Sequence, residues 1–271
     1  MNKIDFTVLM CTYYDDDLKL LRLSIESIFK NTVIPDYFIL TIDGEIPKKN
    51  WDLINKLSEI YKIQINIIKK NVGLALALNN AINLVETKWI ARADSDDINK
   101  KNRFEKQIAL ALNGYDVIGS NILEVDNTNK LKKIEKKMPI TNSDIKKYSK
   151  SRNPINHMTA FYKTELVKKV GGYPNIYKRE DYGLWIKLIN HGANFYNINQ
   201  TLVKVSAGNS LYKRRRGFKN IPAEFNLQLL SYRLKIKPFY LAFFHFFIRV
   251  IILLLPSKIL GKIYLYKLRG E

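Results

Sequence analysis

The sequence has little of what defines several classes of protein. Its single cysteine, Cys11, excludes an intramolecular disulfide framework and a cysteine-based zinc site. Only 12 of its 271 residues are glycine and 8 are proline, which excludes a collagen-like or linker-dominated chain. The first residues lack a basic region followed by an apolar stretch, so we expect no secretory signal and a location that faces the cytosol.

Acidic residues are also scarce relative to basic ones. The chain has 45 Lys and Arg against 25 Asp and Glu, a net charge of +20, and residues 204–271 alone contain 14 basic and 2 acidic residues. Such a charge favours anionic partners, namely nucleic acid, acidic lipid or phosphate-bearing substrates. A compositional bias of the source genome towards Lys, Asn and Ile is the alternative explanation. With 46% hydrophobic residues, the chain can still bury a substantial core.

Strand and helix patterns alternate along the first 120 residues. Short apolar runs predict strands, and stretches with apolar residues at helical spacing lie between them. The strands are expected at residues 6–10, 37–42, 65–68, 89–92 and 116–120. This alternation predicts an α/β fold with a parallel sheet and right-handed crossovers. The second half is predicted to contain a strand at 157–162, a helix at 181–191 and short strands at 195–197 and 202–205.

Polar residues follow four of the predicted strands. Thr12 follows the first strand, Asp43 the second, Asn71 and Gly73 the third, and the acidic cluster Asp94-Ser95-Asp96-Asp97 the fourth. Ligands of open α/β sheets bind beyond the carboxyl ends of the strands. We therefore expect these residues to outline one crevice.

The acidic cluster is the sharpest of these features. Three carboxylates within four residues repel one another unless they share a cation, and oxygen ligands suit Mg²⁺ or Mn²⁺. The alternative is a solvated loop in which Asp97 or Asn99 caps the next helix. The sequence has neither a G-x-G-x-x-G fingerprint after the first strand nor a P-loop, which argues against a dehydrogenase and an NTPase.

Further candidates lie in the second half of the chain. Asp181, in the pair Glu180-Asp181 at a predicted helix start, is a candidate general base because of the neighbouring crevice, although capping of that helix is the simpler role for this residue alone. His157 is a candidate contact to a sugar or phosphate, or else a structural histidine. Arg214 and Arg216 are candidate ligands of a diphosphate or of acidic lipid, or else part of a solvated basic loop.

In this order and spacing, the motifs resemble those of glycosyltransferase family 2 over roughly residues 6–206. The segments 152–159 and 170–173 are similar to the subgroup that assembles bacterial surface polysaccharides, including amylovoran and O-antigen transferases. The resemblance implies the GT-A fold, a mixed, mainly parallel sheet sandwiched by helices. It also implies an inverting, metal-dependent transfer of a sugar from a nucleotide sugar. The Q-x-x-R-W motif of processive synthases is absent, which favours the addition of one sugar per encounter.

The resemblance also implies roles for the matching residues. Asp43 would accept a hydrogen bond from the base, Asp96 (with Asp94 as a second candidate) would bind Mn²⁺ or Mg²⁺, and Asp181 would be the catalytic base. The residues implied to bind the nucleotide sugar are Thr12, Tyr14, Asp43, Asn71, Gly73, Arg92, Asp94 and Asp96. The candidates for acceptor or diphosphate contacts are Glu180, His157, Arg214 and Arg216.

The C-terminal part differs from the rest in composition. We expect a glycosyltransferase domain over residues 1–206, with a nucleotide-binding half (1–120) and an acceptor half (121–206), followed by a basic and apolar helical segment (207–271). Residues 239–255 contain one charged side chain, Arg249, and as a helix would span about 26 Å, short of the ~30 Å hydrocarbon core. We predict a helix that lies in the cytoplasmic leaflet, with a single span or a buried core helix as alternatives.

These observations lead to one expected function and two alternatives. The expected enzyme transfers a UDP-linked sugar to a lipid-linked glycan and binds the cytoplasmic face of an anionic membrane as a peripheral protein, with no nucleic acid as partner. A sugar-1-phosphate nucleotidyltransferase is the first alternative, but it would need a Gly-rich N-terminal loop. A basic, non-enzymatic membrane- or nucleic-acid-binding protein is the second, and it leaves the acidic crevice unexplained.

Overall fold

The computed structural model describes residues 4–126, 133–207 and 217–255. In these ranges nine strands form one sheet in the order β3-β2-β1-β4-β8-β6-β9-β5, with β7 paired to β6. The strands are β1 (Phe6–Thr12), β2 (Tyr37–Asp43), β3 (Gln64–Ile68), β4 (Trp89–Arg92), β5 (Ile98–Asn99), β6 (Val117–Asp126), β7 (Lys133–Lys136), β8 (Phe161–Lys163) and β9 (Phe195–Ala207). The helices are α1 (Leu18–Phe29), α2 (Lys48–Tyr61), α3 (Leu74–Asn83), α4 (Arg103–Leu112), α5 (Asn142–Tyr148), α6 (Thr164–Lys169), α7 (Glu180–Asn190), α8 (Ile221–Arg233) and α9 (Phe239–Leu254).

Strand β1 lies at the centre of the parallel part of the sheet, between β2 and β4. Its side chains alternate between two cores because successive residues of a strand point to opposite faces. Phe6, Val8 and Met10 join the core formed with α1 and α2, whereas Leu9 joins the core with α3 and α7. Both faces are covered by helices, which explains why β1 is mostly apolar on both faces, with Thr7 bonded to the buried Thr87 hydroxyl.

The sheet combines a parallel block with an antiparallel one. Strands β3, β2, β1 and β4 are parallel neighbours, as are β6 and β9. Strand β8 is antiparallel to both β4 and β6, and β5 and β7 also form antiparallel pairs. The predicted fold class, a mixed sheet sandwiched by helices, is confirmed, and the parallel part is the N-terminal block that the sequence pattern indicated.

Two secondary-structure predictions in the second half are wrong in detail. Residues 157–162 are not one strand, because His157–Thr159 forms a 3-10 turn before β8. The two short strands expected at 195–197 and 202–205 are one strand, β9, which shifts register against β6 around Asn121. The polar residues between the two apolar runs interrupt the pattern but not the strand.

Helices α8 and α9 form a C-terminal hairpin. Leu227 of α8 packs on Tyr182 and Ile186 of α7, so the hairpin is attached to the rest of the protein through an apolar contact. The predicted helix near residues 239–255 is confirmed as α9. Across the described ranges, we find no helix with both the length and the apolar character needed to span a bilayer. The division of the chain at residue 206 stays a prediction.

Candidate active site

Three neighbouring strands end at one edge of the sheet and carry predicted donor-site residues. Thr12 is the last residue of β1, Asp43 of β2 and Arg92 of β4. The Cys11 thiol lies close enough to all three strand ends to interact with charged groups there. Burial raises the pKa of Cys11 to about 12, Arg92 opposes this effect, and Asp43 and Asp94 add to it. The charged groups at the ends of the three strands are therefore close enough to interact with one another.

The Asp43 carboxylate joins the end of β2 to the loop before α3. Its Oδ1 accepts a hydrogen bond from the Val72 amide at 2.8 Å, and its Oδ2 accepts one from the Gly73 amide at 2.9 Å. Asn71 Nδ2 donates to the Asp43 carbonyl oxygen at 3.1 Å. Gly44 has a φ of +92°, and a Cβ there would lie 2.9 Å from the Asn71 nitrogen, so the position requires glycine. The two predicted motifs are thus one structural unit, and a contact of Asp43 with a base stays a prediction.

Arg92 is a buried cation at the centre of this edge. It is only 1% exposed and forms an ion pair with Asp94. Burial opposes its charge, but the neighbouring Asp94 and Cys11 outweigh burial and raise the pKa of Arg92. Within the described ranges its Nε has no hydrogen-bond partner. A buried guanidinium with an unused N–H donor is suited to bind an anionic ligand.

A second buried arginine, Arg103 of α4, binds the backbone of Arg92. Its NH2 group donates to the Arg92 carbonyl oxygen at 2.7 Å, and its Nε donates to Gln107 Oε1 at 3.1 Å. Burial and the nearby charge of Arg92 lower the pKa of Arg103 to about 9. Sequence analysis did not identify Arg103, since an arginine in the first turn of an amphipathic helix carries no signal of burial.

In the acidic cluster after β4, Asp97 is buried, whereas Asp94 and Asp96 are half-buried. The Asp97 Oδ1 accepts a hydrogen bond from the Ser206 amide of β9 at 3.3 Å. Burial and its acidic neighbours raise the pKa of Asp97 well above the usual range. The N-cap of α4 is Asn102, so the alternative of a solvated loop with Asp97 or Asn99 as the cap is wrong.

Asp16 is a site residue that sequence analysis missed. Of three consecutive aspartates, Asp17 caps α1 and accepts a hydrogen bond from the Lys19 amide at 2.8 Å. Asp16 instead lies close to Asp96: burial, Asp94 and Asp16 together raise the pKa of Asp96 to about 6. Burial likewise raises the pKa of Asp16. Three equivalent aspartates in a row gave no basis for separating the cap from the site.

The carboxylates around Asp96 form a candidate metal site. Among the residues that the structure describes, no three His, Cys, Asp or Glu side chains are arranged to hold a metal ion without help. A hard divalent cation usually takes only one or two carboxylates when substrate phosphates complete its shell. Asp96 and Asp94 fit this smaller donor set. Burial, and then repulsion from Asp94, raises the pKa of Asp96, and a cation bound between the two carboxylates would relieve that repulsion.

Glu180 and Asp181 are the first two residues of α7. Asp181 Oδ2 accepts a hydrogen bond from Asn153 Nδ2 at 2.6 Å, and Oδ1 accepts one from the Tyr182 amide at 2.7 Å. Burial, with repulsion from Asp181, raises the pKa of Glu180 to about 7, while Arg92 lowers it. Burial also raises the pKa of Asp181. Glu180 and Asp94 therefore both interact with the charge of Arg92.

His157 belongs to a buried chain of hydrogen bonds. Its Nε2 lies 3.0 Å from the Tyr173 hydroxyl, which lies 2.9 Å from the Tyr162 hydroxyl. Burial, followed by the charge of Arg92, lowers the pKa of His157 well below its usual value, so the ring is neutral. This position fits the structural reading of His157, and a contact with sugar or phosphate stays a prediction.

Two further predicted residues, Thr12 and Tyr14, belong to the end of β1 and the loop after it. Thr12 is buried at the end of β1, whereas Tyr14 is 65% exposed in the loop that follows. The nucleoside contacts implied for both stay predictions. Arg214 and Arg216 lie outside the described residues.

Comparison with known proteins identifies relatives along nearly the whole chain. Residues 7–171 match the family described as glycosyl transferase family 2. The chain is 37% identical over 265 residues to the Escherichia coli UDP-Gal:alpha-D-GlcNAc-diphosphoundecaprenol beta-1,3-galactosyltransferase, covering 96% of this chain and 94% of that one. It is 30% identical over 261 residues to the amylovoran biosynthesis glycosyltransferase AmsE of Erwinia amylovora, covering 96% and 97%.

Solved structures share the fold at low sequence identity. S. aureus TarS 1–349 in complex with UDP-GlcNAc superposes with a TM-score of 0.67 at 14% identity, covering 91% of this chain and 72% of that one. The mannosyltransferase PcManGT of Pyrobaculum calidifontis, in complex with GDP-Man and Mn²⁺, has a TM-score of 0.59 at 14% identity, covering 97% and 81%. These likenesses, together with the family match, agree with the fold and the family that the sequence motifs indicated.

Proposed function

We propose that this chain, which belongs to glycosyl transferase family 2, transfers one sugar from a UDP-sugar to a hydroxyl group of a lipid-linked oligosaccharide. Membership makes it a glycosyltransferase, and the proposal names its donor, its acceptor and its stereochemical course. The observation that carries the proposal is the grouping of carboxylates from separate stretches of chain around the buried Arg92. Neither the nucleotidyltransferase nor the non-enzymatic alternative has comparable support.

On the donor side, we assign the nucleotide to the edge formed by β1 and β2. Asp43, held by the Val72 and Gly73 amides, keeps lone pairs free for a base N–H. Thr12 and Tyr14 would line the nucleoside, and Arg92 would add a positive charge near the diphosphate. The UDP-linked donor is supported by the UDP-Gal in the name of the Escherichia coli relative and by the UDP-GlcNAc complex of TarS.

Asp96 and Asp94 are proposed to hold Mn²⁺ or Mg²⁺ together with the donor diphosphate. A divalent ion bound there supplies charge neutralisation of the diphosphate as it leaves. Support comes from the donor chemistry of the two carboxylates, from the raised pKa of Asp96, and from the Mn²⁺ complex of PcManGT. The Arg92 cation would assist the same leaving group from the protein side.

On the acceptor side, we assign the base to Asp181. The acceptor hydroxyl oxygen forms a bond to the anomeric carbon, the bond from that carbon to the diphosphate oxygen breaks, and its electron pair leaves with the diphosphate. The hydroxyl proton passes to the Asp181 carboxylate, and attack opposite the leaving group inverts the configuration. Asn153 and the Tyr182 amide hold the carboxylate in one orientation. Glu180 is proposed to contact the acceptor or the diphosphate.

The acceptor and the membrane are proposed to meet at the C-terminal hairpin. Large apolar side chains of α9 are between 38% and 72% exposed: Phe239, Tyr240, Phe243, Phe244, Phe247, Ile248, Ile251 and Leu254. An exposed apolar face of this size on a helix too short to span a bilayer fits an interfacial helix. The lipid-linked substrate in the name of the Escherichia coli relative supports an acceptor carried by the membrane. We place the enzyme on the cytoplasmic face, in bacterial surface polysaccharide synthesis.

The test of this proposal is a transfer assay with the full-length chain. Purified protein is incubated with UDP-Gal, UDP-Glc, UDP-GlcNAc or GDP-Man, Mn²⁺, and a polyprenyl-diphosphate-linked GlcNAc acceptor in mixed micelles. We expect transfer from a UDP-sugar and an inverted linkage in the product by NMR. Failure to transfer from every donor, or formation of a nucleotide sugar from UTP and a sugar phosphate, would refute the proposal.

The base assignment has its own control within the same assay. Asp181→Asn removes the proton acceptor but keeps the size of the side chain, so transfer should fall by roughly 10³-fold while donor binding changes less than about twofold. The matched variant is Asp52→Asn, an exposed position on α2, which should transfer like the wild type. Near wild-type turnover by Asp181→Asn would mean that another group is the base.

A further inference from the structure

A network of buried polar side chains links the start of α7 to the C-terminal hairpin. Glu224 of α8 is 2% exposed, and its Oε2 accepts a hydrogen bond from Arg179 Nε at 3.3 Å. Its Oε1 accepts a second bond from Gln228 Nε2 at 2.6 Å. Arg179 directly precedes Glu180 and Asp181 in the chain. The carboxylate of α8 therefore contacts the residue next to the acidic pair.

The same network continues to α9. Lys237, 3% exposed in the turn of the hairpin, donates to Gln228 Oε1 at 2.7 Å and lies 3.3 Å from His245 Nδ1 of α9. Burial lowers the pKa of Lys237 to about 8, with Arg249 acting in the same direction and Glu224 opposing both. Buried polar groups are costly unless they are paired, so a paired chain of this length fixes the hairpin in one position.

Arg179 sits on a strained turn that this network holds. The preceding residue, Lys178, has a φ of +55°, a backbone conformation that residues other than glycine rarely adopt. The NH1 group of Arg179 donates to the Lys178 carbonyl oxygen at 2.8 Å, and its Nε donates to Glu224. Strained backbone persists only where surrounding contacts determine it, and it occurs preferentially at functional sites. Glu224 is one of the contacts that determine this turn.

The hairpin also contacts the segment that orients Asp181 from the other side. Arg249 of α9 donates through NH2 to the Ser151 carbonyl oxygen at 2.7 Å. Two residues further along the chain, Asn153 donates to Asp181 Oδ2. The hairpin thus reaches Asp181 by two routes, through the turn at Arg179 and through the segment that carries Asn153.

We propose that Glu224 is a positioning residue for Asp181, which fixes the turn at Arg179 and so makes the C-terminal hairpin part of the catalytic unit. The inference rests on the proposed role of Asp181 as base. Glu224 does not touch the reacting atoms. It acts through Arg179, whose charge and position both bear on Asp181.

The charges around Asp181 make the positioning role of Glu224 measurable in the pH dependence of kcat. Glu180 lies beside Asp181 on α7, Arg179 precedes it, Lys136 of β7 and Tyr173 face it, and Arg92 acts on Glu180. Arg179 and Lys136 lower the pKa of Asp181, against the larger effect of burial. Glu224 offsets part of the Arg179 charge, so its neutralisation strengthens the effect of Arg179 on Asp181.

The experiment compares pH profiles of kcat for full-length variants. Glu224→Gln keeps an acceptor for Arg179 but removes the negative charge, so the acid limb should move to lower pH by a few tenths of a unit. Arg179→Gln removes the positive charge, so the acid limb should move to higher pH. Glu224→Ala, which also removes the acceptor, should lower kcat by roughly tenfold with the KM of the donor changed less than about twofold. Glu59→Gln, which removes the same charge at an exposed position of α2, should match the wild type.

The outcomes separate this inference from the proposed function. Opposite shifts for the two glutamine variants support the positioning role. Unshifted acid limbs in both, with or without a loss of rate, would overturn it, since a merely structural contact changes the amount of active enzyme and not the pKa of the base. If Glu224→Ala does not fold, as judged by circular dichroism, the two glutamine variants still decide the matter. An inactive wild type, or an active Asp181→Asn, would instead refute the proposed function.

Discussion

The side-chain amide of Asn79 on α3 forms two hydrogen bonds with the backbone of Tyr173, one as donor and one as acceptor. Its Nδ2 donates to the Tyr173 carbonyl oxygen at 2.8 Å, and its Oδ1 accepts a hydrogen bond from the Tyr173 amide at 2.8 Å. Helix α3 begins at the loop that Asp43 binds, and the Tyr173 hydroxyl bonds His157 and interacts with the charge of Asp181. The amide therefore connects the proposed donor side to the proposed acceptor side, across 94 residues of sequence.

This contact explains why residue 172 is glycine and predicts the cost of changing it. Gly172 has a φ of +62°, and a Cβ there would lie 2.3 Å from Asn79 Oδ1. Gly172→Ala should therefore lower the free energy of unfolding by roughly 2–4 kcal/mol, from backbone strain and from displacement of Asn79. Gly114→Ala is the matched control: its φ is +87° but nothing lies within 4 Å, so only strain of about 1 kcal/mol applies. Equal losses in urea unfolding would contradict the proposed clash.

Burial of Glu180 predicts how stability depends on pH. Its pKa rises from 4.5 to about 7 on folding because burial, and then Asp181, disfavour the charged form. The folded state therefore binds the proton more tightly, and Glu180 makes the protein less stable as pH rises from about 4.5 to about 7. Glu180→Gln removes this penalty, so its melting temperature should exceed that of the wild type at pH 8 and approach it at pH 5. The exposed control Glu59→Gln should show no such difference. A pH-independent effect of Glu180→Gln would argue against the raised pKa.

Metal dependence provides the test of Asp96. Chelation with EDTA should abolish transfer, and Mn²⁺ should restore it. Asp96→Asn should raise the Mn²⁺ concentration needed for half-maximal transfer by roughly tenfold or more, because one charged oxygen ligand is lost. Electron paramagnetic resonance of Mn²⁺ with UDP present measures binding without turnover. Asp52→Asn serves as the control, and unchanged binding by Asp96→Asn would remove Asp96 from the metal site.

The exposed aromatic residues of α9 predict membrane binding. Phe239, Phe243 and Phe247 follow one another at helical spacing, with ring centroids 6.0 Å and 4.6 Å apart. Replacing all three with serine should lower the fraction that floats with vesicles of anionic lipid by at least about tenfold, because their apolar area no longer enters the bilayer. High salt should weaken binding of the wild type without abolishing it.

The control for this prediction is an exposed apolar residue far from the hairpin. Ile60 of α2 is similarly exposed, and Ile60→Ser should float like the wild type. Wild-type flotation by the triple variant would show that α9 is not the part of the protein that contacts lipid.

The sequence predicted the strand ends well because their signals are local. Thr12, Asp43 and Arg92 each follow or end an apolar run, and parallel strands bring such ends to one edge of the sheet. The fold class followed from the same alternation of runs. The sequence indicated Asp181 because it belongs to a pair of acidic residues at a helix start. The structure adds its hydrogen-bond donor, Asn153.

The residues that were missed depend on contacts distant in sequence. Asn79 bonds a residue 94 positions away, and Glu224, in the segment expected to be basic and apolar, bonds one 45 positions away. Asp16 could not be separated from its two neighbouring aspartates, since local sequence offers each the same role as a cap. His157 was placed in a strand because the apolar residues after it resemble one, although its own backbone turns.

The apolar contact between Leu227 and the helix that carries Asp181 has a practical consequence. A shortened chain that ends before α8 would uncover Tyr182 and Ile186 and leave Arg179 without its carboxylate partner. Deleting the hydrophobic C-terminus to improve handling would thus remove one exposed apolar surface and create another on α7. Detergent, or a small lipid disc, is the better means of keeping this enzyme dispersed in an active form.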